Sequence, residues 1–231
     1  MTAESKAPVL AIDGPGGSGK GTVGQILAQR FGWHFLDSGA LYRALGVVAK
    51  REKISFDEPL ALAHLATTME IRFIPQPDGK AAAVILNGRD IGDQLRTEES
   101  GRLASIVAAL PEVRRALLQK QHSFRQPPGL VADGRDMGST VFPDAILKVY
   151  LTASPEVRAQ RRYKQLIGKG FDVNLPRLLD EIRERDARDA GRAVSPLKPA
   201  DDACILDTSQ LDISGVVERV HGLLRERQRS G

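Results

Sequence analysis

The 231 residues hold a single cysteine, Cys204, which excludes an intramolecular disulfide framework and any metal site built from several thiolates. No apolar run approaches the ~20 residues that cross a bilayer. The N-terminal apolar stretch is cut by Asp13 after a few residues, so no secretory signal is visible and a cytoplasmic location is the expectation. Four histidines (His34, His64, His122 and His221) are scattered without ligand spacing. No Ser–His–Asp or paired-glutamate arrangement stands out, and no Asn-Lys-x-Asp guanine-reading motif occurs. Internal repeats and low-complexity tracts are missing too. Charge of one sign is nearly balanced, with 33 Lys and Arg against 29 Asp and Glu, a net +4 that does not argue for nucleic acid. What the chain has in excess is arginine, 23 against 10 lysines. Arginine presents a planar fork that grips phosphate and carboxylate bidentately, whereas lysine is the usual choice for solvation.

At 42% hydrophobic and 27% charged, the composition is that of a soluble globular protein. Short apolar runs alternate with long amphipathic stretches, the pattern of a parallel sheet wrapped by helices. Strands are expected at Val9–Asp13, Trp33–Leu36, Leu130–Asp133, Ile146–Leu151 and Cys204–Leu206, with Cys204 as a small buried residue. Helices are expected from about Gly19 to Arg30, with Val23, Ile26, Leu27 and Phe31 inward; from a Ser38 cap to Arg51; and from about Asp212 to Arg229. Two segments interrupt this rhythm. Between about Asp57 and Arg125, Ile71 and Phe73 alternate with polar neighbours, Pro77–Lys80 makes a turn and Ala83–Leu86 returns. Helices then follow at Thr97–Ala109 and Pro111–Phe124. The second interruption, about Phe171 to Pro199, is helical and densely charged.

Gly14-Pro15-Gly16-Gly17-Ser18-Gly19-Lys20-Gly21-Thr22 follows a strand and opens a helix, matching the phosphate-loop spacing G-x-x-x-x-G-K. Glycines let successive N–H groups turn inward as an anion nest, the helix start adds its positive dipole end, and Lys20 adds a mobile charge. Gly21 stands where many such loops carry a Mg²⁺-ligating Ser or Thr. Thr22 would hold the metal instead, directly or through water.

Other chemistry-bearing residues sit at strand ends, the ligand edge of an open α/β sheet. Ser38 and the free amides there can hold a phosphate, with Arg43 just over a turn further on; an ordinary cap plus a solvated arginine is the plainer alternative. Asp133-Gly134-Arg135-Asp136 follows another strand. Asp133 is in position to orient Mg²⁺ and its waters, unless it belongs to a plain Asp-Gly turn. Arg158, Arg161, Arg162 and Gln165 share one helix face, and Arg185, Asp189 and Arg192 repeat the spacing. A solvated helix self-paired through Glu181–Arg185 and Glu184–Arg188 is the alternative there.

Together these motifs resemble the bacterial cytidylate kinase family. The resemblance runs from about Pro8 to Arg227 and rests on Gly-Pro-Gly-Gly-Ser-Gly-Lys-Gly-Thr, Leu-Asp-Ser-Gly-Ala-Leu-Tyr-Arg, Ala-Asp-Gly-Arg-Asp-Met-Gly and Glu-Arg-Asp-Ala-Arg-Asp. It implies a P-loop nucleoside monophosphate kinase fold: a five-stranded parallel sheet core with helices on both faces, a monophosphate-binding insertion and a helical lid. Core pieces would span 1–56, 128–170 and 200–231, the insertion 57–127 and the lid 171–199. The implied activity is phosphorylation of CMP and dCMP by ATP with Mg²⁺ as ATP·Mg, in a monomer with neither membrane nor nucleic acid as partner. Gly14 to Thr22 with Arg161 and Arg162 would bind ATP, and Arg158 resembles a further lid arginine. Ser38, Arg43, Arg135 and Arg192 would hold the acceptor phosphate, Arg185 and Asp189 the ribose, and Ser105, Arg114 and Asp136 the cytosine. Lys20, Arg135, Arg161 and Arg192 would be catalytic, and Thr22 with Asp133 would meet the metal. Kinases of the same fold acting on UMP, AMP or a hydroxyl metabolite, and a non-catalytic nucleotide-sensing or RNA-associated module using the phosphate loop as a switch, are the competing readings.

Overall fold

The computed structural model describes residues 6–76, 81–168, 170, 172–191 and 196–230. Its strands are β1 (Val9–Asp13), β2 (His34–Asp37), β3 (Ile71–Ile74), β4 (Ala83–Leu86), β5 (Arg89–Asp90), β6 (Leu130–Gly134), β7 (Leu147–Thr152) and β8 (Cys204–Asp207). Its helices are α1 (Lys20–Phe31), α2 (Ser38–Arg51), α3 (Pro59–Thr68), α4 (Glu98–Ala108), α5 (Pro111–Ser123), α6 (Pro155–Ile167), α7 (Leu175–Ala190) and α8 (Ile213–Ser230). A five-stranded parallel sheet has the order β2-β6-β1-β7-β8, and β3-β4-β5 form a small antiparallel sheet. Among the described residues, no helix is long and apolar enough to cross a membrane.

The chain divides into two compact units. One runs up to Val9 and then from Gly24 to Gly134; the other takes Leu10–Val23 and everything from Arg135 onward. In the first, β2 pairs with β6 in parallel from His34↔Leu130 to Asp37↔Asp133. Phe73 meets Phe35 edge-on and Phe124 at a tilt, at centroid distances of 6.5 and 5.5 Å. Leu36, Leu41, Leu45, Leu62 and Leu117 are fully buried, each worth about 2 kcal/mol relative to exposure. Local chemistry starts the helices: Thr97 caps α4 by accepting from Ser100 N, and Pro111 opens α5, where a missing N–H costs nothing.

In the second unit β1 pairs with β7 from Leu10↔Leu147 to Asp13↔Tyr150, and β7 with β8. Leu10, Ile12, Val149 and Leu151 from the strands and Val216, Val217, Val220 and Leu224 from α8 form its core. Truncating such a residue, for example Leu10→Ala, costs about 2–5 kcal/mol. Ser154 caps α6 and Asn174 caps α7, each accepting from the amide three residues on.

Several local expectations change. Asp37, not Ser38, caps α2: its Oδ1 accepts from Ala40 N at 2.8 Å, and Ser38 becomes the first helical residue. A carboxylate one residue earlier competes well for the same orphan amides. Along α1, Gln25 is buried at 5% exposure, whereas Ile26 and Phe31 are half-buried. Cys204 is also half-buried, because β8 lies at the sheet edge, where its neighbour Ile205 is 65% exposed. Helix α3 and strand β5 have no counterpart in the expected elements. The expected Pro77–Lys80 turn lies outside the described residues.

Candidate active site

The turn from β1 into α1 can be built only with glycine at its start. Gly14 has φ +142°, and a Cβ there would sit 2.0 Å from Leu151 O. Gly17 has φ +80°, against the Cβ of Arg158. Lys20 Nζ donates to Pro15 O at 2.9 Å, and Ser18 Oγ donates to the same carbonyl at 3.0 Å. Both side chains are buried, so the lysine charge is held at the loop instead of in bulk water.

Arg158 braces this loop from behind. Its Nη1 donates to Gly16 O at 3.1 Å, its Nε to Ala153 O at 3.0 Å, and its fork grips the Asp186 carboxylate of α7. The side chain is 3% exposed. It therefore ties α7 to the loop. Arg161, three residues further along α6, donates to Oγ1 and O of Thr208, at 3.1 and 2.6 Å. Thr208 Oγ1 in turn donates to Ser18 O at 3.2 Å and Thr152 O at 3.0 Å. Arg162 is half-buried on the same helix.

Two more arginines meet the loop from the other direction. Arg135 Nε donates to Asp189 Oδ2 at 3.1 Å, and Arg185 Nε lies 4.0 Å from the same oxygen. A Cβ on Gly16 would lie 3.5 Å from both Arg135 Nη2 and Arg185 Nη1. Asp189 is almost fully buried, so one carboxylate holds two guanidinium groups beside the glycine loop. Of the expected pairs on α7, Glu184–Arg188 is present at 3.6 Å, while Glu181 accepts from Arg177 instead of Arg185. Arg192 lies outside the described residues.

Asp136 is buried, immediately after Arg135. The next residues, Met137–Val141, make a π-type turn whose first amides, Met137 N and Gly138 N, donate to the two oxygens of Asp13 at 2.8 Å each. Burial pushes the Asp13 carboxyl up to about 6, and these two bonds and Lys20 only partly oppose it. Burial likewise raises the Tyr150 phenol above its ordinary value.

The remaining expected residues belong to the first unit. Ser38 is buried at the start of α2, with Arg43 half-buried further along it. Ser105 on α4 donates to Gly101 O at 3.2 Å, and Arg114 is half-buried on α5. Asp133 is buried at the end of β6. The Thr22 hydroxyl and the Asp133 carboxylate are hard oxygen donors suited to Mg²⁺. Among the described residues no three His, Cys, Asp or Glu side chains could hold a metal by themselves.

A family model described as cytidylate kinase matches residues 10–226. The chain belongs to the cytidylate kinase family. It is 55% identical over 214 residues to a cytidylate kinase of Aeromonas salmonicida, covering 93% of this chain and 92% of that protein. It is 56% identical over 213 residues to one of Pseudomonas paraeruginosa, covering 92% and 93%. The fold is shared with a solved structure of an uncharacterised protein from Eubacterium ventriosum, at 12% identity and TM-score 0.50, covering 94% of this chain and 98% of that one.

Three residues of this cytidylate kinase family chain went unrecognised in the sequence. Thr208 and Asp186 are an unremarkable hydroxyl and one carboxylate among many. Asp13 carried a visible signal, a charge ending an otherwise apolar strand.

Proposed function

We propose that the protein transfers the γ-phosphoryl group of ATP to CMP and dCMP, giving CDP and dCDP by direct in-line displacement. The observation that carries this reading is the convergence of Arg135 and Arg185, tied by Asp189, on Gly16 of the phosphate loop. Membership of the cytidylate kinase family supports it.

The acceptor is a phosphomonoester, largely dianionic near neutral pH because its second pKa is about 6. It needs no general base. What it needs is relief of repulsion between two anions and alignment of donor and acceptor. Loop amides and Lys20 would hold the donor phosphates. Ser38, Arg43, Arg135 and Arg192 would take the acceptor phosphate, and Arg185 and Asp189 the ribose. Bound with ATP at Thr22 and Asp133, Mg²⁺ would neutralise charge on the phosphate oxygens. Arg161 and Arg162 would meet ATP; Arg161 has to exchange Thr208 for a phosphate to do so. The segment 57–127 would carry the acceptor and 171–199 would exclude water from the transfer.

Ser105, Arg114 and Asp136 would read the base. Cytosine offers a donor at N4 and acceptors at N3 and O2, complementary to a carboxylate beside Arg and Ser donors. Uracil turns O4 toward that carboxylate, a buried mismatch of about 1–3 kcal/mol or more. ADP release measured with ATP·Mg²⁺ across CMP, dCMP, UMP, AMP and GMP tests the reading. CMP and dCMP should give the highest kcat/KM; equal rates with UMP, or ATP binding without ADP production, would remove it.

A further inference from the structure

We infer that Asp13 is a positioning residue for the acceptor, its carboxylate fixing the turn after Arg135 and Asp136 and thereby the direction in which those side chains meet a pyrimidine monophosphate. The inference rests on the proposed activity and deepens it.

The chain leaves the extended conformation of β6 at Asp136, which has φ −143° and ψ 25° and starts the π-type turn. The carbonyl of Asp136 accepts from Thr140 N and Val141 N at 2.9 and 3.1 Å, closing the π-type turn over itself. Met137 N and Gly138 N open that turn, so they have no earlier carbonyl within it to bond. Asp13 meets both, one with each oxygen. From the other side, the methylenes of Lys148 wall the turn: a Cβ on Gly138 would come within 3.0 Å of Lys148 Cγ and Cδ. The backbone that aims Asp136 is therefore pinned between a carboxylate from β1 and an aliphatic stem from β7.

Packing alone does not ask for a carboxylate here. The other four residues of β1 (Val9, Leu10, Ala11 and Ile12) are apolar and fully buried. An ionised group in that strand is disfavoured, as its raised pKa records. What it supplies is two acceptor oxygens at fixed spacing, which no apolar residue offers. An amide in its place has one acceptor and one NH₂, and the NH₂ would face an N–H. The turn would then shift, and a displacement of about 1 Å at a reacting or recognising group is enough to lose roughly a hundredfold in rate.

The test is steady-state kinetics of Asp13→Asn with CMP and with UMP, alongside the wild-type enzyme. The expected result is a loss of tenfold or more in kcat/KM for CMP, a KM for ATP within about twofold of wild type, and a CMP/UMP preference eroded by a similar factor. Gly138→Ala, which pushes the same turn from the Lys148 side, should erode the preference in the same direction and serves if Asp13→Asn does not fold. A purely structural role would lower the active fraction only, leaving both KM values and the CMP/UMP ratio unchanged; that result overturns the inference. A wild-type enzyme that makes no CDP from CMP would overturn the substrate reading itself, a different outcome from an unchanged ratio in the variants.

Discussion

Asp13 and Lys20 bracket the glycine loop, and they reach low exposure by opposite routes. Lys20 donates a hydrogen bond to a carbonyl of the loop, Pro15 O. Asp13 gains two amide donors and still titrates near 6, above its ordinary 3.8, because burial outweighs them. A carboxyl whose folded pKa is raised costs stability once ionised, so the penalty is absent below about 3.8 and complete above about 6. Two pKa units correspond to about 3 kcal/mol. Urea unfolding of wild type and Asp13→Asn should therefore converge differently with pH. On going from pH 7.5 to 4, the wild type should gain on the variant by about 2 kcal/mol, most of the full penalty. A difference that stays flat over that window would mean Asp13 does not titrate there.

Between elements, the main connector is Arg158, which joins α6, α7 and the phosphate loop through four hydrogen bonds. Replacing it by Ala leaves Asp186 unpaired and the Gly16 and Ala153 carbonyls without that donor. Removing one partner of such a buried pair costs about 3–5 kcal/mol. A melting temperature lower by roughly 6–20 °C is expected, from about 2–4 °C per kcal/mol at this size, together with a raised KM for ATP as Gly16 loses its brace. Arg158→Lys should recover little, because a point charge cannot fill the fork's separate acceptors. Sequence spacing placed Arg158, Arg161 and Arg162 on one face but had no means to rank them. Which arginine meets a carboxylate 28 residues away on α7 is decided by tertiary packing. The same limit applies to Asp13, whose partners lie 124 and 125 residues along the chain. Features with local causes were legible: the glycine loop from its spacing, β1 from its apolar run and β3 from the alternation of Ile71 and Phe73 with polar neighbours. Helix α3 was not, because Pro-Leu-Ala-Leu-Ala-His-Leu-Ala-Thr-Thr has too little polar contrast to show a helical period.

At the scale of the whole molecule, neither unit is a continuous stretch of chain. The segment Leu10–Val23, which carries β1 and the glycine loop, belongs with residues from Arg135 onward. Its pairing Leu10↔Leu147 spans 137 residues (147 − 10). At roughly 5–20 residues per second, a ribosome needs about 7–27 s to make that length. Throughout that interval β1 has been synthesised but its β7 partner has not. Chains arrested with only residues up to 134 outside the ribosome should therefore be cut by protease within 10–23, and full-length released chains should be resistant there; early protection of 10–23 would contradict this. A half-made chain thus cannot yet assemble the glycine loop against Leu151, Arg158 and Thr208, all of which are made only after the first unit is complete.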